Sequence, residues 1–430
     1  MFILFWWCMN KPLYQMVMRQ KNEVLETPPP SLILRDGTEY LTKELDSPLV
    51  KIVLGPRRCG KSTLIKQVLQ NRPYAYLNCE DEGFPNGISG DEIMAALDQI
   101  YPDAKIYFFD EIQNFENWEP FLHRLHREGR NCIVTGSNAH LLSRELASAL
   151  TGRHIAIELL PFSYPEFLRS GQSDDDNTLV RYLKSGGFPE VLVRGADELS
   201  YLSTLWDSIV LKDVVRRYKV RNVGELHDLY SILLHAIGSR FNNESLVRAL
   251  NGRVSAPTIK KFLLYGNEAY LFAELPRFHY GARKRLKFDR KAYVYDNGFL
   301  LAKRVFTSPD HGRLLENMVF IELVRQKFRP GLNLFYYVTA DGYEVDFLLR
   351  QGSKNHELIQ VTWNMSEQKT REGEILALQQ AASELNVQKI RILTWDQAEI
   401  LQVGDITIAI EPVRQWLVQQ NQPQHKNTSY

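Results

Sequence analysis

From Leu49 to about Leu160, short apolar runs alternate with stretches of amphipathic periodicity. The runs "LVKIVLG", "YAYLNCE", "KIYFFDE", "NCIVTGS" and "HIAIELL" are apolar along most of their length and bounded by turn or polar residues, which predicts buried strands. Helical stretches such as "KSTLIKQVLQN" and "NWEPFLHRLHREGR" lie between most of them. Buried strands alternating with helices predict a parallel sheet covered on both faces. An acidic, polar break follows at 170–178, and then a helical region to about residue 240, punctuated by "GGFPE" (186–190). Residues 241–300 read as short helices followed by an extended basic stretch, and 312 to about 413 as a second α/β unit. The tail "QQNQPQHKNTSY" has almost nothing to bury and is expected to be disordered.

Composition narrows the class. A chain of 430 residues exceeds one ordinary core, so two to four domains are expected. Its 44% hydrophobic and 24% charged residues are those of a soluble globular protein. A net charge of +1 excludes a global attraction to nucleic acid or membrane, so any basic surface must be local. Cys8, Cys59, Cys79 and Cys132 form no CxxC pair. That argues against a zinc site or a disulfide framework and fits a reducing cytosol, so a cytoplasmic location is expected. The opening "MFILFWWCM" is too short to span a bilayer and lacks the marks of a secretory signal. It reads as a docking segment, or as residues preceding a start at Met9, Met16 or Met18. No other apolar run approaches 18 residues, and no membrane span is expected.

The strongest chemistry lies in "GPRRCGKST" (55–63), which fits G-x-x-x-x-G-K-[ST] between a strand and a helix. Its residues Gly55, Pro56, Arg57, Arg58, Cys59, Gly60, Lys61, Ser62 and Thr63 are the candidate nucleotide contacts. Gly55 and Gly60 let the backbone curl so that successive N–H groups face a phosphate at a helix N-terminus. Lys61 reaches the terminal phosphates and the Ser62 hydroxyl can ligate Mg²⁺. Arg57 and Arg58 suit electrostatic support. Downstream, "KIYFFDEIQ" ends an apolar run on Asp110, a carboxylate to stand behind Mg²⁺, with Glu111 beside it to polarise the attacking water. "IVTGSN" (133–138) supplies hydroxyl and amide groups at the tip of the next strand.

The order lysine loop, one further strand, then Asp-Glu resembles the additional-strand P-loop ATPases, of which AAA+ proteins are a branch. That likeness implies a polar sensor at Ser137 or Asn138. It also gives Arg153, in "LTGRHIAIEL", the place of an arginine finger acting on a neighbouring subunit; a surface ion pair is the other reading. More widely, "GPRRCGKSTL", "DEIQNFENW", "TGSNAHLLS", "LTGR", "LPFSYPEFL", "GGFPE", "KDVVRRY" and "LLENMVFIEL" with "GYEVDFLL" resemble a prokaryotic family of AAA+-like ATPases with a C-terminal domain of unknown function, sometimes called archaeal-type ATPases. The expected architecture is an α/β protein with six parts, of which the resemblance implies the middle four. The six are an N-terminal extension (1–30), an AAA+-like parallel-sheet domain (31–168), a helical lid and linker (169–240), a winged-helix segment (241–300), a restriction-endonuclease-like α/β domain (301–413) and a disordered tail (414–430). Adenine rather than guanine follows from the likeness, since no guanine-reading N-K-x-D string is present. A homo-oligomer or another protein partner remains open.

Within 242–275 two helices meet at "NGRVSAP", where Asn251 and Gly252 stop the first and Ser255 suits the N-cap of a second carrying Thr258, Lys260 and Lys261. This looks like a helix-turn-helix. "RFHYGARKRLKFDRK" (277–291) then reads as strand–turn–strand with seven Lys/Arg and one acid, a basic wing with Arg283, Lys284 and Arg285 towards the phosphates of double-stranded DNA. Packing against protein is the alternative. The third domain resembles PD-(D/E)XK nucleases through Glu316 in "RLLENMVFIEL" and Asp346 in "EVDF", but Gln360 and Thr362 stand where that pattern needs an acid and a lysine. A neutral amide is a poor Mg²⁺ ligand. Glu357 should face away from Gln360, whereas Glu344 shares a face with Asp346 and leaves a weak metal site open. The expected function is a Mg²⁺-dependent ATPase that hydrolyses ATP slowly as a conformational switch. The alternatives are an ATP-gated nuclease and an ATP-stabilised DNA-binding scaffold.

Overall fold

A computed structural model describes residues 11–26, 33–139, 152–194, 197–303 and 310–419. They form two compact units, Met1–Pro161 and Phe162–Tyr430.

In the first unit the five expected strands all form: β1 (Val50–Leu54), β2 (Tyr74–Asn78), β3 (Ile106–Asp110), β4 (Asn131–Gly136) and β5 (His154–Glu158). They pair in parallel in the order β2-β3-β4-β1-β5. β1 and β3 are buried at every position. Val50, Ile52, Leu54, Tyr107 and Phe109 enter the core on one face, and Val53, Ile106 and Phe108 that on the other. A sheet apolar on both faces must be covered twice, which the intervening helices do. β2 precedes β3 in the chain yet lies at the sheet edge, and β4 is the strand inserted between β1 and β3.

The expected N-terminal extension is, over Lys11–Glu26, a helix of this unit. Leu13, Met16 and Val17 share a core with Ala75 and Leu77 of β2. The Gln20 amide donates to the Asn78 carbonyl (3.2 Å) and accepts from the Asn78 N–H (2.9 Å). Apolar residues at i, i+3 and i+4 give the helix one face to bury, and the sheet edge offers the complement. The first ten residues lie outside the described residues.

The helices of the region expected as a lid and linker belong to the second unit. Asp176–Ser185 lies against His311–Arg325, and Glu198–Ile209 against Gly298–Ala302. Trp206 meets Phe299 edge-on with centroids 5.2 Å apart, so this helical region shares the core of its own unit. Next come β6 (Arg240–Phe241), helices Asn243–Ala249 and Ala256–Glu268, β7 (Phe272–Pro276) and β8 (Arg290–Val294). The three strands form an antiparallel sheet, β6-β8-β7. Left-handed Asn251 and Gly252 follow the first helix, and the Ser255 side chain caps the second by accepting from the Thr258 N–H, as expected. The basic run departs from expectation. Most of 277–291 is a loop holding a short helix, Ala282–Arg285, rather than a pair of strands. The apolar residues that a half-buried strand needs lie just outside it, in "LFAEL" and "AYVY".

A six-stranded sheet completes the unit in the order β13-β14-β12-β11-β10-β9. β9 (Leu334–Val338), β10 (Glu344–Gln351) and β11 (Lys354–Val361) are antiparallel neighbours, and helix Gln368–Leu385 crosses over to β12 (Lys389–Thr394), which runs parallel to β11. β13 (Glu399–Val403) and β14 (Ile406–Pro412) close it. The expected disorder from residue 414 does not hold at its start. Val413–Gln419 is a helix burying Trp416 and Leu417, apolar residues that a tail assignment by composition overlooks. Residues 420–430 are outside the described residues.

"GGFPE" is a backbone cradle. The Asp296 carboxylate is buried and accepts from the Gly187 and Gly298 N–H groups, both at 2.8 Å. Burial pushes Asp296 up to about 7 against the pull of those N–H groups. A Cβ on Gly186, whose φ is 71°, would sit 1.7 Å from Asp296 Oδ1, and one on Gly187 would sit 2.2 Å from the Phe162 carbonyl oxygen. Gly186→Ala should therefore cost about 3 kcal/mol or more in thermal melting. Gly252→Ala, with a similar φ of 69° but open space around it, should cost only about 1 kcal/mol.

Candidate nucleotide site

Parallel strands present their C-terminal ends to one edge, where βα loops can converge on a ligand. Here β1 runs into residues 55–60 and then helix Lys61–Val68, with Gly60 left-handed at φ 98°. Arg58 is also left-handed, at φ 67°, so the loop curls as expected. Gly55 has a second reason to lack a side chain: a Cβ there would lie 1.9 Å from the Leu159 carbonyl oxygen just beyond β5. Buried Arg35 fastens the same region, donating to the Cys59 carbonyl (2.7 Å) and the Leu160 carbonyl (2.6 Å). No motif marked that arginine.

Lys61 is buried and donates to the carbonyls of Gly55 (3.1 Å) and Pro56 (3.0 Å). It also pairs with Glu111 Oε1 at 3.3 Å. Ser62 Oγ donates to Asp110 Oδ1 at 2.8 Å. The remaining reach of Asp110 is taken by hydroxyls: Thr135 Oγ1 donates to Oδ1, and Tyr76 OH donates to Oδ2 at 3.1 Å. Burial and the neighbouring Glu111 charge raise Asp110 above the usual carboxylate range, against the pull of those donors. Thr63 and Arg58 are exposed, and Arg57 Nη1 donates to both Glu80 carboxylate oxygens at 2.7 and 2.9 Å.

Glu111 turns out of β3 in a left-handed conformation, φ 50°. That backbone is costly for a residue with a side chain, on the order of 1–3 kcal/mol. It is held by the Glu111 N–H donating to Thr135 Oγ1 (2.8 Å), and by Oε2 accepting from the Ser137 N–H (3.1 Å) and Gln113 Nε2 (2.6 Å). Burial opposes its ionisation, but Lys61, Gln113, Arg57 and Ser137 outweigh it and hold the carboxyl at about 2. Ser137 and Asn138 are both buried at the tip of β4, where the Ser137 N–H bonds to Glu111. Thr135, Gln113 and Tyr76 complete this site from within the strings "IVTGSN", "DEIQ" and "YAYLNCE", where no motif marks them.

Arg153 lies elsewhere. It precedes β5, its carbonyl accepts from the Val50 N–H at the start of β1, and its exposed side chain meets His123 Nε2 at 2.8 Å. Four strand steps of ~3.3 Å separate that edge from the one carrying the 55–60 loop, so it cannot reach this chain's own loop.

In the second unit, Lys260, Lys261, Arg283 and Lys284 are exposed, while half-buried Arg285 lays its guanidinium over Phe335 at 5.5 Å. Two residues of the expected wing face inward. Arg290 pairs with Glu274 (2.6 Å), and Lys291 is buried among Glu316, Glu344 and Asp346. Those acids do converge, but on an ammonium. Gln360 Oε1 accepts from the Asp346 N–H (3.1 Å), and Thr362 Oγ1 points to the Asn364 carbonyl (3.5 Å). Glu357 faces the other way, towards Lys389 (2.6 Å) and Arg391 (2.9 Å).

Known proteins match this arrangement. The AAA domain family matches residues 47–168, and two domains of unknown function, DUF8612 and DUF4143, match residues 176–310 and 311–412. The uncharacterized protein MJ1544 of Methanocaldococcus jannaschii is 33% identical over 393 residues, covering 85% of this chain and 87% of that protein. An uncharacterized protein of Haemophilus influenzae is 31% identical over 339 residues, covering 74% and 83%. The chain belongs to their family, and its first unit carries the AAA domain. Among solved structures, the Walker-type ATPase PABY2304 of Pyrococcus abyssi is 19% identical, with a TM-score of 0.44 over 64% of this chain and 96% of that one. No described helix of the chain is long and apolar enough to cross a membrane.

One carboxyl of the second unit gives a pH signature. Burial, reinforced by Asp346, pushes Glu374 up to about 7. A folded-state pKa above the unfolded one means that the native form keeps a proton which the unfolded chain releases near 4.5. Its contribution to stability is therefore present below about pH 4.5 and lost as pH rises through 7. Glu374→Gln should flatten the fall in melting temperature of this unit over that range; an unchanged profile would count against the assignment.

Proposed function

We propose that the first unit binds ATP with Mg²⁺ and hydrolyses it slowly, and that the cycle serves as a conformational switch. One observation carries this reading: Ser62, Asp110 and Glu111 meet at the mouth of the 55–60 loop, joined by the 2.8 Å Ser62–Asp110 bond and the 3.3 Å Lys61–Glu111 pair. A hydroxyl and a carboxylate side by side are hard oxygen donors, a set that fits Mg²⁺. When bound, the ion neutralises negative charge on the phosphate oxygens.

Lys61 rests on two neutral carbonyls, which an anionic phosphate oxygen outcompetes as an acceptor. Drawing Lys61 to the phosphate also moves the cation nearest Glu111. The Glu111 carboxylate, steered by Gln113 and the Ser137 N–H, then accepts the proton of the attacking water. Adenine is the base because the AAA domain family is the match. Arg153, too far from its own loop, acts on a second copy of the chain or not in catalysis.

The helix pair and antiparallel sheet of residues 240–294 are read as a winged helix that associates with double-stranded DNA. Lys260 and Lys261 are exposed on its second helix, and residues 277–288 carry five Lys/Arg and no acid. The C-terminal domain is read as lacking nuclease activity, because Gln360 and Thr362 supply neither an acid nor a lysine.

By calorimetry with Mg²⁺, the protein should take up ATP and Lys61→Ala should not. Glu111→Gln should keep ATP affinity while turnover falls about 10²-fold or more; unchanged turnover removes Glu111 as the base. Reversing the charge of Arg283, Lys284 and Arg285 should weaken duplex binding and lower its salt slope by about 3. Binding that ignores these changes refers DNA association to another surface or excludes it.

A further inference from the structure

The acidic cluster of the second unit already contains its cation. Lys291 Nζ lies 2.8 Å from Glu316 Oε1, 2.6 Å from Glu344 Oε1 and 2.9 Å from Asp346 Oδ1, and its side chain is 2% exposed. An ammonium has three donors and no acceptor, so three carboxylates satisfy it fully. The acids are committed in turn. Glu316 Oε1 also accepts from Tyr293 OH (2.6 Å), Asp346 Oδ2 accepts from the Val361 N–H (3.0 Å), and Glu344 pairs with Arg240.

The carboxylates come from helix His311–Arg325 and β10, whereas the ammonium comes from β8. β8 is the central strand of the three-stranded sheet, and Lys291 is in register with Arg240 on one side and Leu275 on the other. A lysine on a loop could swing away; this one cannot leave without its strand. We propose that Lys291 is the resident cation of this cluster, closing it to divalent metal ions and locking the three-stranded sheet onto the C-terminal sheet. The inference stands apart from nucleotide binding, and its outcome does not depend on that reading.

Removing one partner of a buried ion cluster strands the others, whereas removing charge on both sides is far better tolerated. Full-length protein is compared with Lys291→Met and with Lys291→Met/Asp346→Asn by thermal melting and by hydrogen exchange of β8 and β10. Lys291→Met should lower the melting temperature by several degrees and speed exchange in both strands, and the double variant should recover part of each. Should Lys291→Met fail to fold, the double variant and Mn²⁺ calorimetry on Asp110→Asn protein, which keeps Lys291, still decide. The double variant should fold, and the Asp110→Asn protein should take up no Mn²⁺ at the cluster. Mn²⁺ uptake lost on Glu316→Gln, or a Lys291→Met protein that melts and exchanges like the wild type, overturns the proposal.

Discussion

The position of β4 between β1 and β3 is the constraint on which the edge carrying the 55–60 loop depends. Parallel pairing sends the ends of β1, β3 and β4 in one direction, and this order sets the tip of β4 beside both others. From there Thr135 reaches Asp110 and the Glu111 N–H, and the Ser137 N–H reaches the Glu111 carboxylate. β1 meanwhile delivers Ser62 to Asp110 through the turn into its helix. Were β3 directly beside β1, neither the Thr135 nor the Ser137 contact would have a strand to come from.

Both units bury carboxylates, which is tolerable only where donors or cations replace water. Asp110 is met by three hydroxyls, Asp296 by two glycine N–H groups, and Asp346 by an ammonium and one backbone N–H. Lys61 and Lys291, both buried, differ in how they can respond. Lys61 sits at a helix start with two neutral carbonyls among its acceptors, so a better acceptor can claim it. Lys291 is fixed on a central strand by three carboxylates. The same side chain thus suits exchange in one unit and permanence in the other.

Short-range pattern made much of the first unit legible. Strand lengths, glycine spacing and the Asp-Glu pair depend on residues a few positions apart, and all five strands formed where the apolar runs lay. Arg153 shows the limit: its nearness to β5 in the chain says nothing of chemistry until strand direction is considered, and that direction sends it to the far edge. The basic run misled for a related reason. Seven Lys/Arg suggest one solvated hairpin, but its end is strand β8, whose two faces set Arg290 against Glu274 and Lys291 against Glu316. Charge composition cannot distinguish a phosphate-facing lysine from one neutralised inside the fold.

By itself, the sequence determined that a parallel α/β sheet would carry a curled glycine loop with Lys61 and Ser62 at its end and Asp110 and Glu111 at a strand end, because backbone curl and strand burial are local properties. Only the tertiary structure decided which groups complete that site and what fills the acidic cluster. Arg35, Thr135 and Lys291 act on partners 24 to 125 residues away. Contacts of that kind come into existence only when strands and helices pack, so no spacing along the chain encodes them.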